Sequence, residues 1–388
     1  MKHLGDITKI HGDKIEPVDC ITFGSPCQDL SIAGRRAGLA GKRSGLFVEA
    51  VRIIKEMGKA TNGMHPTFAI WENVPGAFSS NSGEDFRAVL EELARVEQPD
   101  ASIPRPPRGG RWSKAGAIAG NGWSLAWRQL DAQYWGVPQR RKRIALVADF
   151  RGQRAEEILF ERTSLSGNPD ESIKAWETDP GSSQASPSGR DRTGEKAIYD
   201  ARGNGDGRTC PTITGDHENR ITDYTAIAIE HQTFSEQSFS SYKESNKCST
   251  LKAKAGNIGN GSECLIAEKV IRWIVRRLTP VECERLQGFP SGWTDIGDWT
   301  DSKGKKHKYA DSPRYKALGN SIALPQWFWL VQRMRPYLEQ KPTLGSLFDG
   351  LGGFPLVWQR AYGEGTARWA SEIESFCVAV TKRRFGEE

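Results

Sequence analysis

Residues 343–354 read Thr-Leu-Gly-Ser-Leu-Phe-Asp-Gly-Leu-Gly-Gly-Phe. The apolar start of this stretch predicts a strand over 343–348, and the apolar residues after the glycines predict a helix. A glycine-rich turn between a strand and a helix is typical of sites where a nucleotide-like ligand meets backbone N–H groups at a helix N-terminus. The turn alone is a weak signal, since many glycine-rich turns bind nothing.

The residues that follow strengthen the prediction of a nucleoside site. A second strand, predicted over Ala367–Ser371, ends at Glu372, which lies where an acid commonly holds ribose hydroxyls. The turn has the pattern Gly-x-Gly-Gly rather than Gly-x-Gly-x-x-Gly, which disfavours a dinucleotide. It suits a ligand that has a nucleoside but no pyrophosphate, such as S-adenosylmethionine.

The position of this unit in the chain is unusual, because a first strand–helix–strand unit ordinarily opens such a domain. Here the unit comes last, and its final helix, predicted over 376–385, has no following strand. Residues 3–7 at the start of the chain are predicted to supply that strand. We therefore expect a circularly permuted α/β domain. A misplaced gene boundary or a two-chain assembly would produce the same order of motifs.

A thiol and a carboxyl group follow two other predicted strands. The strand over Asp19–Phe23 leads into Gly24-Ser25-Pro26-Cys27, and the strand over Phe68–Trp71 leads into Glu72-Asn73-Val74-Pro75. The carboxyl ends of parallel strands meet at one edge of a sheet, so these groups form a candidate nucleophile and acid/base pair. A lone cysteine is more often a small buried apolar residue, and a lone glutamate a solvated loop residue or a helix cap. The prediction depends on their combination.

The remaining pattern indicates a catalytic domain interrupted by a second region. The predicted segments are 1–150 and 271–340 for the catalytic domain, 151–270 for a loop-rich recognition domain, and 341–388 for the cofactor unit. Within them we predict helices over 45–57, 82–96, 279–288 and 324–337, a loop over 99–122, and a hairpin from 123–130 to 144–147.

Composition excludes several classes of protein. The 388 residues carry a formal net charge of +6, which permits a polyanionic partner. The seven cysteines are scattered without a Cys-x-x-Cys pair, so we expect neither a metal site nor a disulfide framework. No apolar run approaches the ~18 residues that span a bilayer, and the first residues lack the apolar core of a signal peptide. We therefore expect a monomer that acts in the reducing environment of the cytoplasm.

Six motifs in one cyclic order resemble those of the DNA (cytosine-5)-methyltransferases. They are Gly24-Ser25-Pro26-Cys27-Gln28, Glu72-Asn73-Val74, Gln139-Arg140-Arg141-Lys142-Arg143, Arg277-Leu278-Thr279-Pro280 with Glu282-Cys283, Gly319-Asn320-Ser321, and residues 348–354. That family ordinarily begins with the last of these motifs. The resemblance implies a doubly wound mixed sheet of the Rossmann-like methyltransferase type, with a smaller target-recognition domain between the third and fourth motifs.

The resemblance also implies the chemistry. Cys27 would add to carbon 6 of a cytosine flipped out of double-stranded DNA, and carbon 5 would then accept a methyl group from S-adenosyl-L-methionine, leaving S-adenosyl-L-homocysteine. Glu72 would protonate or hydrogen-bond ring N3, and so carry a proton in the complex. Arg141 and Arg143, on one face of a strand, would lie near the cytosine O2.

Further residues are assigned by the same resemblance. The expected cofactor residues are Phe348, Gly350, Leu351, Gly353, Glu372, Ile373, Asp6, Ile7, Pro26, Leu46 and Asn320. The expected DNA contacts are Gln28, Ser31, Arg35, Arg36, Arg43 and Gln139, several of them on a mobile lid over 31–44. Each of these assignments has a simpler structural alternative. Asn320 would be a helix cap, Arg140 and Lys142 would contact phosphate or be solvated charges, and residues 31–44 would form an ordinary basic loop.

Three other functions compete with this one. The same chemistry on transfer RNA is disfavoured by the long recognition region. A catalytically dead DNA-binding relative is disfavoured because Cys27, Glu72 and Arg143 are intact. An oxidoreductase built on the glycine turn leaves the Pro-Cys and Glu-Asn-Val segments unexplained. A role in restriction–modification, a viral role and an independent role are all consistent with these motifs.

Overall fold

The computed structural model describes residues 1–25, 45–105, 111–160 and 278–386, together with the backbone of five short strands between 197 and 266. Predictions that concern residues 26–44, among them Pro26, Cys27, Gln28, Ser31, Arg35, Arg36 and Arg43, lie outside the described residues.

An eight-stranded mixed sheet forms the centre of the fold, in the order β1-β15-β14-β2-β3-β6-β5-β4. Neighbours from β1 to β3 pair in parallel, and those from β3 to β4 pair antiparallel. The predicted α/β class with a mixed sheet is confirmed. The strands of this sheet are β1 Lys2–His3, β2 Cys20–Phe23, β3 Phe68–Asn73, β4 Ala115–Ala119, β5 Ser124–Asp131, β6 Lys142–Asp149, β14 Leu344–Leu347 and β15 Ala367–Ser371.

Eight α-helices lie in the described part of the chain. They are α1 Gly45–Ala60, α2 Glu84–Ala94, α3 Ala155–Leu159, α4 Pro280–Gln287, α5 Asp311–Asn320, α6 Leu324–Met334, α7 Gly353–Tyr362 and α8 Ser375–Phe385. Helix α1 illustrates why they form: its buried residues Phe47, Ala50, Val51, Ile54 and Met57 recur at helical spacing and pack on the sheet core. Helix α4 begins at a capping box between Thr279 and Glu282 and ends at Gly288, whose φ is 79°.

The two strands of the C-terminal strand–helix–strand unit lie inside the sheet, not at its edge. Strand β14 pairs with β2 on one side and β15 on the other, and β15 pairs with β1. Gly345 in β14 is required there, because a Cβ would lie 2.2 Å from the Trp369 ring of the next strand. The first and last strands of the chain therefore share one edge of the sheet.

Three local predictions were wrong. A strand over 3–7 shrinks to Lys2–His3, because Gly5 has φ of 71° and Asp6 caps a short 3₁₀ helix, Ile7–Lys9. The predicted loop over 99–122 contains β4, an edge strand whose Gly116 accommodates the Trp127 ring. The predicted start of α2 at Ser82 moves to Glu84, because Ser82 has φ of 55°.

The chain divides into two compact units. One comprises 1–186, 212–219 and 279–388, and the other comprises 187–211 and 220–278. The second unit contains a pair, β7 Ala197–Asp200 with β8 Thr225–Ala228, and a three-stranded sheet of β9 Thr233–Ser238, β10 Ser241–Glu244 and β11 Cys264–Ile266. The assignment of residues 151–270 to target recognition stays a prediction.

Candidate active site

The carboxyl ends of β2 and β3 deliver the first group of predicted residues to one edge of the sheet. The two strands pair in parallel with Phe23 opposite Trp71. Gly24 and Ser25 therefore leave β2 beside Glu72 and Asn73. Cys27 follows two residues later in the sequence, outside the described residues.

Buried hydrogen bonds fix this edge. The Ser25 hydroxyl accepts from the Trp71 indole N–H at 3.1 Å, and the Asn73 amide nitrogen donates to the Ser25 carbonyl at 3.3 Å. The Asn73 side-chain oxygen accepts from the Val74 N–H at 2.8 Å. All three of Ser25, Trp71 and Asn73 are buried. The segment that leads to Cys27 is thereby tied to the segment that carries Glu72.

Glu72 is paired with Arg143. The Arg143 Nε atom lies 2.8 Å from Glu72 Oε1, and the two side chains are 15% and 14% exposed. Gly24 makes room for this carboxylate, since a Cβ at Gly24 would lie 2.9 Å from Glu72 Oε2. A partly buried ion pair is suited to contact a polar ring.

The antiparallel junction between β3 and β6 explains why these two side chains meet. Glu72 lies opposite Ala145 and Asn73 opposite Ile144, so the start of β6 faces the end of β3. The side chain of Arg143 thus reaches the same edge as Glu72 although the two residues belong to distant motifs.

Arg141 is held in the interior by backbone carbonyls. It precedes β6, is 1% exposed, and donates to the carbonyl of Gly319 at 2.9 Å and to the carbonyl of Ser321. Burial lowers the pKa of its guanidinium well below the ordinary value, and the charge of Arg143 adds to that effect. Gln139, two residues earlier, is also fully buried.

The segment around Asn320 is held by these buried donors. Arg141 bonds to the carbonyls on both sides of Asn320, and the fully buried Gln287 donates to the carbonyl of Leu318. Asn320 itself ends α5 and is exposed. Its backbone neighbours are fixed while its side chain is available.

The glycine turn after β14 forms a cradle around Glu372. The Gly350 N–H donates to Glu372 Oε2 at 2.7 Å, and the N–H groups of Ile373 and Glu374 donate to Oε1 at 2.7 and 2.8 Å. Phe348 has φ of 55°, a left-handed conformation that a bulky residue rarely adopts. The strained residue and the fixed carboxylate stand together at the end of two adjacent strands.

A cleft of about 570 Å³ opens beside this turn, a volume suited to a small-molecule ligand. Phe348, Gly350, Glu372 and Asn320 line it, so four expected cofactor residues come together. Ile373 is 73% exposed. Leu351 and Gly353 are buried, and Gly353 packs where a Cβ would lie 2.8 Å from Ile322. These two residues therefore support the turn from its buried side.

The expected residues from the start of the chain lie beside the end of β15. The Ser371 hydroxyl donates to the Gly5 carbonyl at 2.7 Å, which ties the segment before Asp6 to the end of β15. Asp6 caps the 3₁₀ helix through Thr8, while Ile7 is buried in the core and Leu46 packs partly against it.

Asp349 is a further polar residue of this region that was not assigned a role from the sequence. It is buried, and its Oδ1 accepts from the Ser346 hydroxyl at 2.6 Å. Burial raises its pKa to about 8; the Ser346 bond opposes the shift and the charge of Glu372 adds to it. The available signal was an acid inside an otherwise apolar and glycine-rich turn.

The comparison with protein families decides the relationship. The profile of the C-5 cytosine-specific DNA methylases matches residues 1–97 and 115–334, which is most of the chain. The chain belongs to this family. The resemblance inferred from the six motifs is thereby confirmed. The last motif, residues 348–354, lies beyond the matched range, so circular permutation stays a hypothesis.

The sequence identity between this chain and individual relatives is low. The chain is 29% identical to a DNA N-6-adenine-methyltransferase of Escherichia phage P1, over 86% of this chain and 55% of the relative, so it spans about half the length of that protein. It is 24% identical to the type II methyltransferase M2.BsuMI of Bacillus subtilis, over 96% of this chain and 75% of the relative. The S. pombe Dnmt2 methyltransferase matches 86% of this chain and 83% of its own, with 16% identity and a TM-score of 0.44.

No helix in the described part of the chain combines the length and apolarity needed to cross a bilayer.

Proposed function

We propose that this protein is an S-adenosylmethionine-dependent DNA methyltransferase that modifies carbon 5 of a cytosine flipped out of double-stranded DNA. The observation that carries the proposal is the Glu72–Arg143 pair, 2.8 Å apart, on the edge from which the Gly24-Ser25-Pro26-Cys27 segment departs. Membership of the methylase family supports it.

The side chains have complementary roles in this reaction. The Cys27 thiolate adds to carbon 6, while Glu72 donates a proton or hydrogen bond to ring N3 and Arg143 donates to O2. Carbon 5 becomes nucleophilic as a result. S-adenosylmethionine, when bound, supplies the methyl group as a sulfonium substituent. Water then removes the proton from carbon 5, the electrons of that bond re-form the double bond to carbon 6, and the Cys27 thiolate leaves, while Glu72 takes back the proton of N3.

Arg141 fits a positioning role better than contact with the base. Its guanidinium is buried against the two carbonyls that flank Asn320, so it would act by orienting that segment. We propose that Asn320, Phe348, Gly350 and Glu372 hold the cofactor in the cleft they line. Their donor set, a carboxylate, an amide, an aromatic ring and glycine backbone, suits a nucleoside with an amino-acid tail.

The remaining assignments are proposals supported by the family resemblance. Gln28, Ser31, Arg35, Arg36 and Arg43 would contact DNA from the segment after Cys27, with residues 151–270 reading the target bases. The position of β14 between β15 and β2 supports a circularly permuted catalytic domain. Relatives named type II methyltransferases support a role in restriction–modification. We further propose that the protein is a monomer and acts in the cytoplasm.

Adenine methylation is the second candidate, because one relative is named for it. That relative is almost twice as long as the aligned region, so its named activity need not belong to that region. An exocyclic amine also needs no thiolate to activate a ring carbon. The Cys27, Glu72 and Arg143 set therefore favours cytosine.

The test is methylation of DNA by the purified protein with labelled cofactor, followed by nucleoside analysis. We expect 5-methylcytosine from the wild type and none from Cys27→Ala, while DNA binding by the variant persists. DNA that carries 5-fluorocytosine should form a covalent complex with the wild type only. N6-methyladenine as the product, or methylation by Cys27→Ala at the wild-type rate, would refute the proposal.

A further inference from the structure

A small hairpin stands on the rim of the cofactor cleft, outside the six motifs. Its strands are β12 Trp299–Thr300 and β13 Lys306–His307, with Trp299 opposite His307. Trp299, Asp301 and His307 line the same cleft as Phe348, Gly350, Glu372 and Asn320. The hairpin is therefore part of the cavity, although nothing in the family motifs assigns it a role.

The hairpin is fixed by its own hydrogen bonds. Asp301 Oδ1 accepts from the N–H groups of Lys303 and Lys305, each at 2.9 Å, and Asp301 Oδ2 lies 2.9 Å from His307 Nε2. The Asp301 N–H donates to the Lys305 carbonyl at 3.0 Å. These bonds hold the turn closed and orient the imidazole without help from a ligand.

The oriented imidazole in turn fixes Trp299. The two rings stack with centroids 4.1 Å apart and planes 10° apart, and the Trp299 ring meets the Phe376 ring edge-on at 5.5 Å. Phe376 also lines the cleft, and Trp299 is partly exposed there. A large aromatic surface is thus held rigidly against the cavity.

We propose that the hairpin is a wall of the S-adenosylmethionine site and that Trp299 contacts the bound cofactor. The inference rests on the proposed function, because it takes the cleft to be the cofactor site. A preorganised aromatic face offers a purine or a sulfonium group contact area at little entropic cost. His307 and Asp301 are positioning residues that keep Trp299 in place.

Calorimetric titration of the full-length protein with S-adenosylhomocysteine tests the proposal without turnover. We expect Trp299→Leu to weaken binding about tenfold, and Trp299→Phe to retain most of the affinity because a ring remains. Tyr134→Leu, at another exposed aromatic that does not line the cleft, is the matched control and should leave affinity unchanged.

A second variant keeps the test valid if Trp299→Leu does not fold. His307→Leu keeps Trp299 but removes the stacking partner and the bond to Asp301, so we expect a several-fold weaker affinity. Wild-type affinity in both Trp299→Leu and His307→Leu would overturn the inference and leave the proposed function intact. Failure of the wild type to bind S-adenosylhomocysteine would instead remove the proposed cofactor.

Discussion

Two glutamates stand at the same edge of the sheet and are held in different ways. Glu72, near the carboxyl end of β3, pairs with the Arg143 side chain, and both groups keep some exposure. Glu372, after β15, accepts three hydrogen bonds from backbone N–H groups of its own loop and the glycine turn. One carboxylate is paired with a side chain from another strand, and the other is bonded by the main chain.

Under the proposed function, this difference suits two different roles. A carboxyl group that must donate to a base needs a partner that adjusts when the base arrives, and a side-chain ion pair permits that. A carboxylate that orders a loop around a cofactor benefits from rigidity, which backbone donors supply. We therefore expect substitutions at Glu72 to affect the reaction and those at Glu372 to affect cofactor binding.

The sharpest test of this contrast is Glu72→Gln. An amide cannot transfer a proton to ring N3, so we expect methyl transfer to fall by about 10²–10⁴ while S-adenosylhomocysteine binds as before. Glu372→Gln is the matched change, and there we expect weaker cofactor binding. Single-turnover rates and calorimetry measure the two effects, and a loss of cofactor affinity in Glu72→Gln would erase the distinction.

A milder change displaces Glu72 without removing it. In Gly24→Ala the new Cβ would lie 2.9 Å from Glu72 Oε2, so the carboxylate must shift. We expect methyl transfer to fall about tenfold, because small misplacements of a catalytic group are costly.

Gly58→Ala is the control for that variant, since its Cβ would make an ordinary contact at 3.8 Å. Both variants should melt within a few degrees of the wild type, because the group that shifts in Gly24→Ala is the end of a side chain. Unchanged activity in Gly24→Ala would mean that the position of the Glu72 carboxylate does not limit the reaction.

The smallest effect concerns Asp349 on the cofactor side. Its pKa of about 8 lies above the ordinary 3.8, so the folded state retains the proton better than the unfolded state. The stability from the protonated carboxyl is complete below pH 3.8 and is lost as pH rises towards about 8. Asp349→Asn should flatten this fall in the free energy of unfolding, measured by denaturant titration at several pH values.

Ser346→Ala offers a check on the cause. The Ser346 hydroxyl favours the charged form of Asp349, so its removal should raise the pKa further and move the loss of stability to higher pH. A stability profile of Asp349→Asn as steep as that of the wild type would assign the pH dependence to other groups.

Local patterns predicted much of the sheet and its helices. The strand Ala367–Ser371 was placed at its observed bounds, and the helix after Thr279 began and ended as its capping residues indicate. Both have strong signals within a few residues of the chain. The strand Ala115–Ala119 was missed because alanine and glycine are poor strand formers, and its pairing with β5 and the packing of Trp127 on Gly116 are tertiary effects.

The sequence motifs selected the residues of the candidate site but not the contacts between them. Motifs identified Glu72 and Arg143, yet their pairing depends on the register of β3 with β6, which no local pattern contains. Alternation along a strand placed Arg141 beside Arg143, but β6 begins at Lys142, after Arg141. Trp299 and His307 gave no signal, because a two-residue strand pair is too short for any periodicity.

The insertion of β14 between β15 and β2 bears on how the chain folds as it is made. Asp19 and Thr343, which bond across this junction, are 324 residues apart. A ribosome adds ~5–20 residues per second, so β14 is synthesised roughly 15 to 60 seconds after β2. During that interval the strand Cys20–Phe23 lacks its partner on that side, and an unpaired apolar strand edge favours wrong pairing.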